Sequence, residues 1–462
     1  MKFNSKTVNK TVNLAGGKAY DLKDKYKLAT AVLSSFVQDK YYKSELSEKK
    51  SIISLVKKEP EFASQLALYA RHEAGMRSVS HFMASYLSEY FSGKEGGSQF
   101  YCDIIRRPDD ITEIVSLHFY RKLKLSNAMK KGFAKRLSSL SEYQLAKYQG
   151  KGNEVKLLDV VNLVHPQTTE GLSKLMKGTL KQFNTWENEL SAAGSDKEKK
   201  EKVWADLLNE DKLGYFAALR NIRNIHNQSP ESEGKLISLL TNEEVVRKSL
   251  VMPFRFTTAY NIVKELDSAN KLLRAVSRAT ELSLKNVPVF EGSTLVVLDS
   301  SGSMDGKPIE IGSLFAASLV KTNDADLITF ADRAKYQSVN PDDSLQSIVN
   351  SIDFDWGGTN LASVFDTINK KYDRIIVLSD FQTWGETFWG GPSFNTCLKK
   401  YEKEYGRPIV YSWDLQGYGT TQIPQHEVFL LAGFNDKVFD VMRLLESDRE
   451  ALIHTIENYN IK

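Results

Sequence analysis

Five aliphatic or β-branched residues, Thr294 to Leu298, run straight into Asp299-Ser-Ser-Gly-Ser303. The run reads as a buried strand. Small residues then lead to Ile309–Val320, an apolar stretch long enough for a helix. In an open parallel α/β sheet, ligands bind outside the carboxyl ends of the strands. One carboxylate and two hydroxyls there, on a tight loop, are hard oxygen donors. Asp299, Ser301 and Ser303 suit Mg²⁺, with Mn²⁺ as the second choice, and not a thiolate-loving metal. The competing reading is a plain turn that caps the following helix.

Two more pieces favour the metal. Trp356-Gly-Gly-Thr-Asn360 carries Thr359 on a loop ahead of an apolar helix, and Arg374-Ile-Ile-Val-Leu-Ser-Asp380 is a second buried strand ending in a carboxylate. Together Asp299, Ser301, Ser303, Thr359 and Asp380 resemble the metal-ion-dependent adhesion site of von Willebrand factor A-like domains. That resemblance implies one divalent cation held by the first three residues and the Thr, with an open coordination position for a partner's carboxylate. Runs at Thr294–Leu298, Ala325–Phe330, Arg374–Leu378, Pro408–Trp413 and Glu427–Ala432 alternate with helical stretches. This βαβ rhythm predicts a doubly wound α/β sheet over residues 289–462.

The first part of the chain differs. From Tyr26 to about Asn286 apolar residues recur at three and four, as in Leu28, Val32, Phe36 and in Phe62, Leu66, Tyr69, Ala70. Short polar breaks at Gly93–Gly97, Gly150–Asn153 and Ser229–Gly234 separate helices of ordinary length. Successive short antiparallel helices predict an α-solenoid, although no strict repeat period is visible. Ala15-Gly-Gly-Lys-Ala-Tyr20 lacks the first Gly and the Ser or Thr of a phosphate loop. The stretch Ala192–Lys202 reads as a solvated, charged hairpin. The boundary falls in Asn286-Val-Pro-Val-Phe-Glu-Gly292, giving domains of 1–288 and 289–462.

Charge divides at the same place. Residues 291–462 hold 15 Lys and Arg against 25 Asp and Glu, a net of −10. Of the chain's 62 basic and 58 acidic residues, 47 and 33 remain in residues 1–290, a net of +14. A basic helical domain of this size predisposes to a polyanion partner. The two cysteines, Cys102 and Cys397, lie far apart and argue against a disulfide scaffold. With a polar N-terminus and no run approaching a membrane span, a cytoplasmic protein is expected.

Several stretches of the first part resemble the TROVE module of Ro-type proteins. They are Tyr69–Ser78, Ser141–Tyr148, Leu157–Pro166, Leu219–Arg223 and Val251–Tyr260, running on through Asn286-Val-Pro into the A-like part. Asp380-Phe-Gln-Thr-Trp384 is similar to a run these proteins carry after that strand. The resemblance covers the chain from about Gly16 to its end, without the insertions of typical animal members. It implies a HEAT-like α-helical repeat ring, an α-solenoid toroid that is a monomer, joined to the A-like domain. It implies that single-stranded 3′ ends of misfolded noncoding RNA enter a central hole, and that structured RNA such as Y RNA binds the basic outer surface. A 3′ exonuclease can be tethered through such RNA, and the ring itself has no catalytic activity.

The residues point the same way. Arg121, Lys122, Lys124, Lys130, Lys131, Lys135 and Arg136 occur with no acidic residue among them. Ser126 can cap the helix that follows, on which Met129, Phe133, Leu137 and Leu140 share one face and Lys131 and Lys135 the other. A packed side and a cationic side suit contact with a phosphate backbone. Lys271, Arg274 and Arg278 form a second stripe at helical spacing. Arg71, Arg77, Arg220 and Arg223 lie inside the TROVE-like stretches, where an Arg serves either RNA or a structural ion pair. His165 precedes Pro166 at a helix end, as a packing residue or, by the resemblance, near the hole.

Catalysis is not expected. Ser301 and Ser303 form no nucleophile elbow, and the His partner that Glu73 and His72 would need for a zinc motif comes only at His81. One Asp, two Ser and a Thr offer little general-base capacity. The alternative to an RNA-binding protein is a metal-dependent interaction scaffold that captures an acidic partner.

Overall fold

A computed structural model describes residues 10–35, 45–148, 154–180, 186–249, 251, 253–266, 270–287, 289–383, 392–422, 428–432, 437–445, 448 and 450–459. Phe36, the 150–153 break, Met252, Pro288, Trp384 and Glu427 lie outside them. The described residues form two compact units, one of residues 10–21 with 186–448 and the other of residues 22–180 with 450–459. These units cut across the boundary near residue 288, because each draws in residues from both ends of the chain.

The first unit contains a six-stranded sheet. Its strands are β3 (Thr294–Asp299), β4 (Asp326–Phe330), β5 (Ala334–Gln337), β6 (Arg374–Ser379), β7 (Ile409–Asp414) and β9 (Phe429–Ala432), in the order β5-β4-β3-β6-β7-β9. All neighbours are parallel except β4 and β5. The chain leaves β3 for β4 on one side and later returns to β6 on the other. The carboxyl end of β3 is therefore the switch point at which such sheets take ligands. β3 and β6 are buried along their whole lengths, as continuous apolar runs demand. The Lys307–Asn323 helix joins β3 to β4 and buries Ile311, Leu314, Phe315 and Leu319. The five expected strands are present, with ends shifted by a residue or two. The antiparallel edge strand β5 was not expected.

Nor was a second, smaller sheet. β1 (Lys10–Val12) and β2 (Lys18–Asp21) form a hairpin, and β2 pairs with β8 (Thr420–Thr421) through Tyr20↔Thr421 and Asp21↔Thr420. Asn13 is buried and donates from Nδ2 to the Thr383 carbonyl at 2.7 Å, while the Leu14 amide donates to Gln382 Oε1 at 2.7 Å. The polar opening stretch thus braces the loop that follows β6. Helices of the same unit, from Trp186–Ala193 to Asn270–Ser283, pack around Trp204, Leu236, Phe256, Leu272 and Val276. The charged stretch at Ala192–Lys202 resolves into a helix end and a helix start, capped by Asp196, which accepts from the Lys199 amide at 3.1 Å.

The second unit is helical apart from its connections. Pro60 and Pro108 begin the Pro60–His72 and Pro108–Tyr120 helices, positions where the missing amide hydrogen costs nothing. Ser126 caps the Asn127–Ser138 helix by accepting from the Met129 amide at 3.3 Å, and Ser141 and Gln144 form a capping box at the next. Phe91, Phe100, Tyr101 and Phe133 make a chain of ring contacts through the core. The Ala451–Glu457 helix belongs here, and the Tyr459 ring beyond it meets Tyr69 edge-on at 5.7 Å. Among the described residues no helix is long and apolar enough to cross a membrane.

Candidate metal centre and basic helical face

Asp299 is the last residue of β3 and Asp380 follows the last residue of β6, so parallel pairing brings both to one edge of the sheet. Both are fully buried. Asp299 accepts from the Ser301 amide at 2.9 Å on one oxygen and from Ser379 Oγ at 2.5 Å on the other. Ser301 Oγ lies 3.3 Å from Ser303 Oγ, and both residues are buried. The loop bearing Thr359 is stitched to this turn. The Trp356 amide donates to the Ser300 carbonyl at 3.1 Å, and the Gly302 amide donates to the Gly357 carbonyl at 3.0 Å. On its far side the Gly358 amide donates to Asp332 Oδ1 at 2.6 Å. A side chain at Gly357 would meet the Asp332 carboxylate at 2.5 Å, which explains the small residues of this loop. Thr359 is 1% exposed.

Gln416, which belongs to no motif in the sequence, ties the loops together. Its Nε2 donates to the Ser303 carbonyl at 2.7 Å and lies 3.5 Å from Asp380 Oδ2. Asp414, the last residue of β7, was also missed because the expected strand stopped at Trp413. It accepts from the Gln416 and Gly417 amides at 2.9 and 2.6 Å. The signal was available, since β7 is a third apolar run that ends in Asp.

The electrostatics fit a cation. Burial pushes Asp299 up to about 6, against the hydrogen bonds it accepts. Burial, and then the charge of Asp299, push Asp380 up to about 8. Two buried carboxylates that repel one another beside two hydroxyls are a site that a hard divalent ion would relieve. Among the described residues no three His, Cys, Asp or Glu side chains converge as a metal set, so a cation here would need the hydroxyls as donors.

In the helical unit, the face expected on the Asn127–Ser138 helix is present. Met129, Phe133 and Leu137 are fully buried and Leu140 nearly so, while Lys130, Lys131 and Lys135 are exposed. Lys135 reaches Gln99 Oε1 at 2.7 Å, and Arg136 is half-buried. Lys124 is exposed, and so is His165, which ends the Leu157–Val164 helix in the left-handed conformation. In the other unit Lys271, Arg274 and Arg278 stand exposed on the Asn270–Ser283 helix. Arg220 and Arg223 are exposed as well, Arg223 within 3.2 Å of Glu265.

Arg71 and Arg77 have a different occupation. Arg71 is buried and donates to Asp110 Oδ2 from Nε and Nη2, at 3.2 and 2.7 Å. Arg77 pairs with Asp110 Oδ1 at 2.8 Å, with Asp109 at 2.6 Å and with Glu113 at 2.8 Å. Asp110 also accepts from the Arg106 and Arg107 amides and faces His81. Both guanidinium groups are thus engaged in holding helices together.

A helical array in one unit, and in the other a doubly wound sheet with buried carboxylates and hydroxyls at its switch point, define an A-domain-bearing helical-repeat protein. The TROVE domain profile matches residues 33–176 and again 161–290, more than half of the chain. The chain belongs to the TROVE-domain family, an RNA-binding class. The crystal structure of the Deinococcus radiodurans Ro (RSR) protein is similar over 94% of this chain and 99% of that one, with a TM-score of 0.62 at 16% identity. Mouse telomerase protein component 1 is 33% identical over 91 residues, which are 19% of this chain and only 3% of that protein.

Proposed function

We propose that the protein binds noncoding RNA in RNA quality control or processing, taking single-stranded 3′ ends of misfolded RNA and structured, Y-like RNA. One observation carries this reading. Residues 114–141 contain seven Lys and Arg and no acidic residue, and the helix within them buries its apolar face and exposes its lysines. Lys130 and Lys131 make no ion pair among the described residues. Phosphate contacts of this kind give affinity without sequence choice.

The test is binding of a structured RNA, with and without a single-stranded 3′ tail, across a salt series. Tail-dependent binding whose logarithm falls with log salt by several contacts' worth of slope is expected. No binding at moderate salt overturns the reading.

The buried acid and hydroxyl set supports a second role. Mg²⁺, or Mn²⁺, would be held by Asp299, Ser301, Ser303 and Thr359, with Asp380 behind them. Such an ion supplies a Lewis-acidic open position for a partner's carboxylate. These residues would position the ion and exclude water, and Gln416 would help by holding the Ser303 carbonyl and approaching the Asp380 carboxylate. A 3′ exonuclease joined through RNA, a monomeric state and a cytoplasmic setting complete the proposal.

A further inference from the structure

The connection between the Pro108–Tyr120 and Asn127–Ser138 helices holds an aromatic ring out in solvent on a rigid mount. Tyr120 is 88% exposed, with Phe119 at 41% and Leu123 at 37% beside it. Exposed aromatic and aliphatic side chains on a mobile loop would be unremarkable, but this loop is fixed at every residue. The helix ends in a left-handed turn at Lys122, φ +57°. The Lys122 amide donates to the Phe119 carbonyl at 2.7 Å, and the Leu123 amide donates to the His118 carbonyl at 3.3 Å. Glycine is favoured at such a position, and a lysine there carries backbone strain of the kind found at functional sites.

Two buried anchors hold the turn from below. His118 is 1% exposed, and its Nε2 lies 3.1 Å from the Lys124 carbonyl. A carbonyl only accepts, so Nε2 carries the proton, and Nδ1 can accept from Ser85 Oγ at 3.2 Å. Burial lowers the His118 pKa, in keeping with that neutral ring. Arg121 donates to the Ser85 carbonyl at 2.5 Å and lies 3.6 Å over the Tyr86 ring. Arg121 is therefore taken up, whereas Lys122 and Lys124 are exposed without an ion pair among the described residues.

An exposed aromatic ring with aliphatic neighbours and unengaged cations close in the chain suits one kind of polymer. Single-stranded nucleic acid offers unpaired bases to stack and phosphates at each side. A duplex offers only phosphates here, because its bases already stack on one another. We propose that Tyr120, with Leu123 beside it, stacks one unpaired RNA base, while Lys122 and Lys124 take the flanking phosphates. This rests on the RNA-binding reading and adds a defined single-strand contact to it.

The experiment compares the full-length chain with Tyr120→Ala, Tyr120→Trp and Lys122→Gly. Fluorescence anisotropy reads binding of a labelled oligouridine about ten nucleotides long and of a blunt RNA duplex. Tyr120→Ala should weaken the oligouridine about tenfold and leave the duplex unchanged, with an unaltered melting curve because the ring is exposed. Tyr120→Trp should bind at least as well as the parent. Lys122→Gly relaxes the turn and should lose only a phosphate contact, seen as a shallower salt slope. Equal oligouridine binding by Tyr120→Ala and the parent overturns the platform while leaving the RNA reading in place, and points to a protein partner for this loop. A parent chain that binds neither RNA overturns both.

Discussion

Asp110 shows how one side chain decides what its neighbours are for. Burial alone would raise its pKa, but His81, within 3.1 Å, and the charge of Arg71 hold it well below the usual carboxylate range. Its ionised form is therefore bound more tightly by the folded state than by the unfolded chain. The stability it contributes is present above the unfolded carboxylate range and is lost as pH falls toward the lowered folded value. Asp110→Ala would leave Arg71 buried without its partner. We expect a loss of about 3–5 kcal/mol in urea unfolding at neutral pH, shrinking as the pH is lowered below about 4. An equal loss at all pH values would show that packing, not charge, is what the residue supplies. The TROVE-like stretch in the sequence displayed Arg71 and Arg77, but their acceptor lies more than thirty residues on. A lone sequence does not say which distant carboxylate will fold against which arginine. Asp299 and Asp380 were legible for the opposite reason, since each stands at the end of an apolar run that can only be a buried strand.

At the scale of elements, the basic helix is held close by a missing side chain. A Cβ on Gly132 would meet the Ser98 carbonyl oxygen and the Tyr101 Cβ at 2.5 Å each. The Gly97–Asp103 and Asn127–Ser138 helices can cross this tightly only with glycine there. Gly132→Ala gains about 1 kcal/mol of helix propensity but forces two packed helices apart. A net destabilisation of about 1–3 kcal/mol is expected in thermal or urea unfolding, and a more stable variant would disprove the close crossing. The amphipathic period that revealed this helix is a local property, so the sequence showed it plainly. The β1–β2 hairpin was not readable, because Lys10–Val12 and Lys18–Asp21 are short and largely polar. Their status as strands comes from pairing with one another and, for Lys18–Asp21, with Thr420 and Thr421. The edge strand β5, half-buried along its length, was hidden by the same lack of an apolar run.

At the scale of the whole molecule, the carboxylate site joins segments from three strands and from the opening hairpin. Ligand binding there should report on the folding of that entire unit. If Mg²⁺ binds the folded site alone, an excess of a hundredfold over its dissociation constant adds about 2.7 kcal/mol of stability. The melting temperature should rise with Mg²⁺, fall back with a chelator, and stop responding in Asp299→Ala. RNA binding by the helices should survive that substitution. A melting temperature indifferent to Mg²⁺ and Mn²⁺ in the parent chain would remove the metal from the proposal.

Both units close with residues from opposite ends of the chain. β2 waits for Thr420 and Thr421, and the helical unit that begins at residue 22 receives the Ala451–Glu457 helix. During synthesis the ribosome releases the first helices long before that last one exists. The apolar surface that Tyr69 shares with Tyr459 stays uncovered until all the residues between them have been made. A nascent chain therefore carries that surface exposed for a prolonged time, and loss of the Ala451–Glu457 helix would be felt at residues made hundreds of positions earlier.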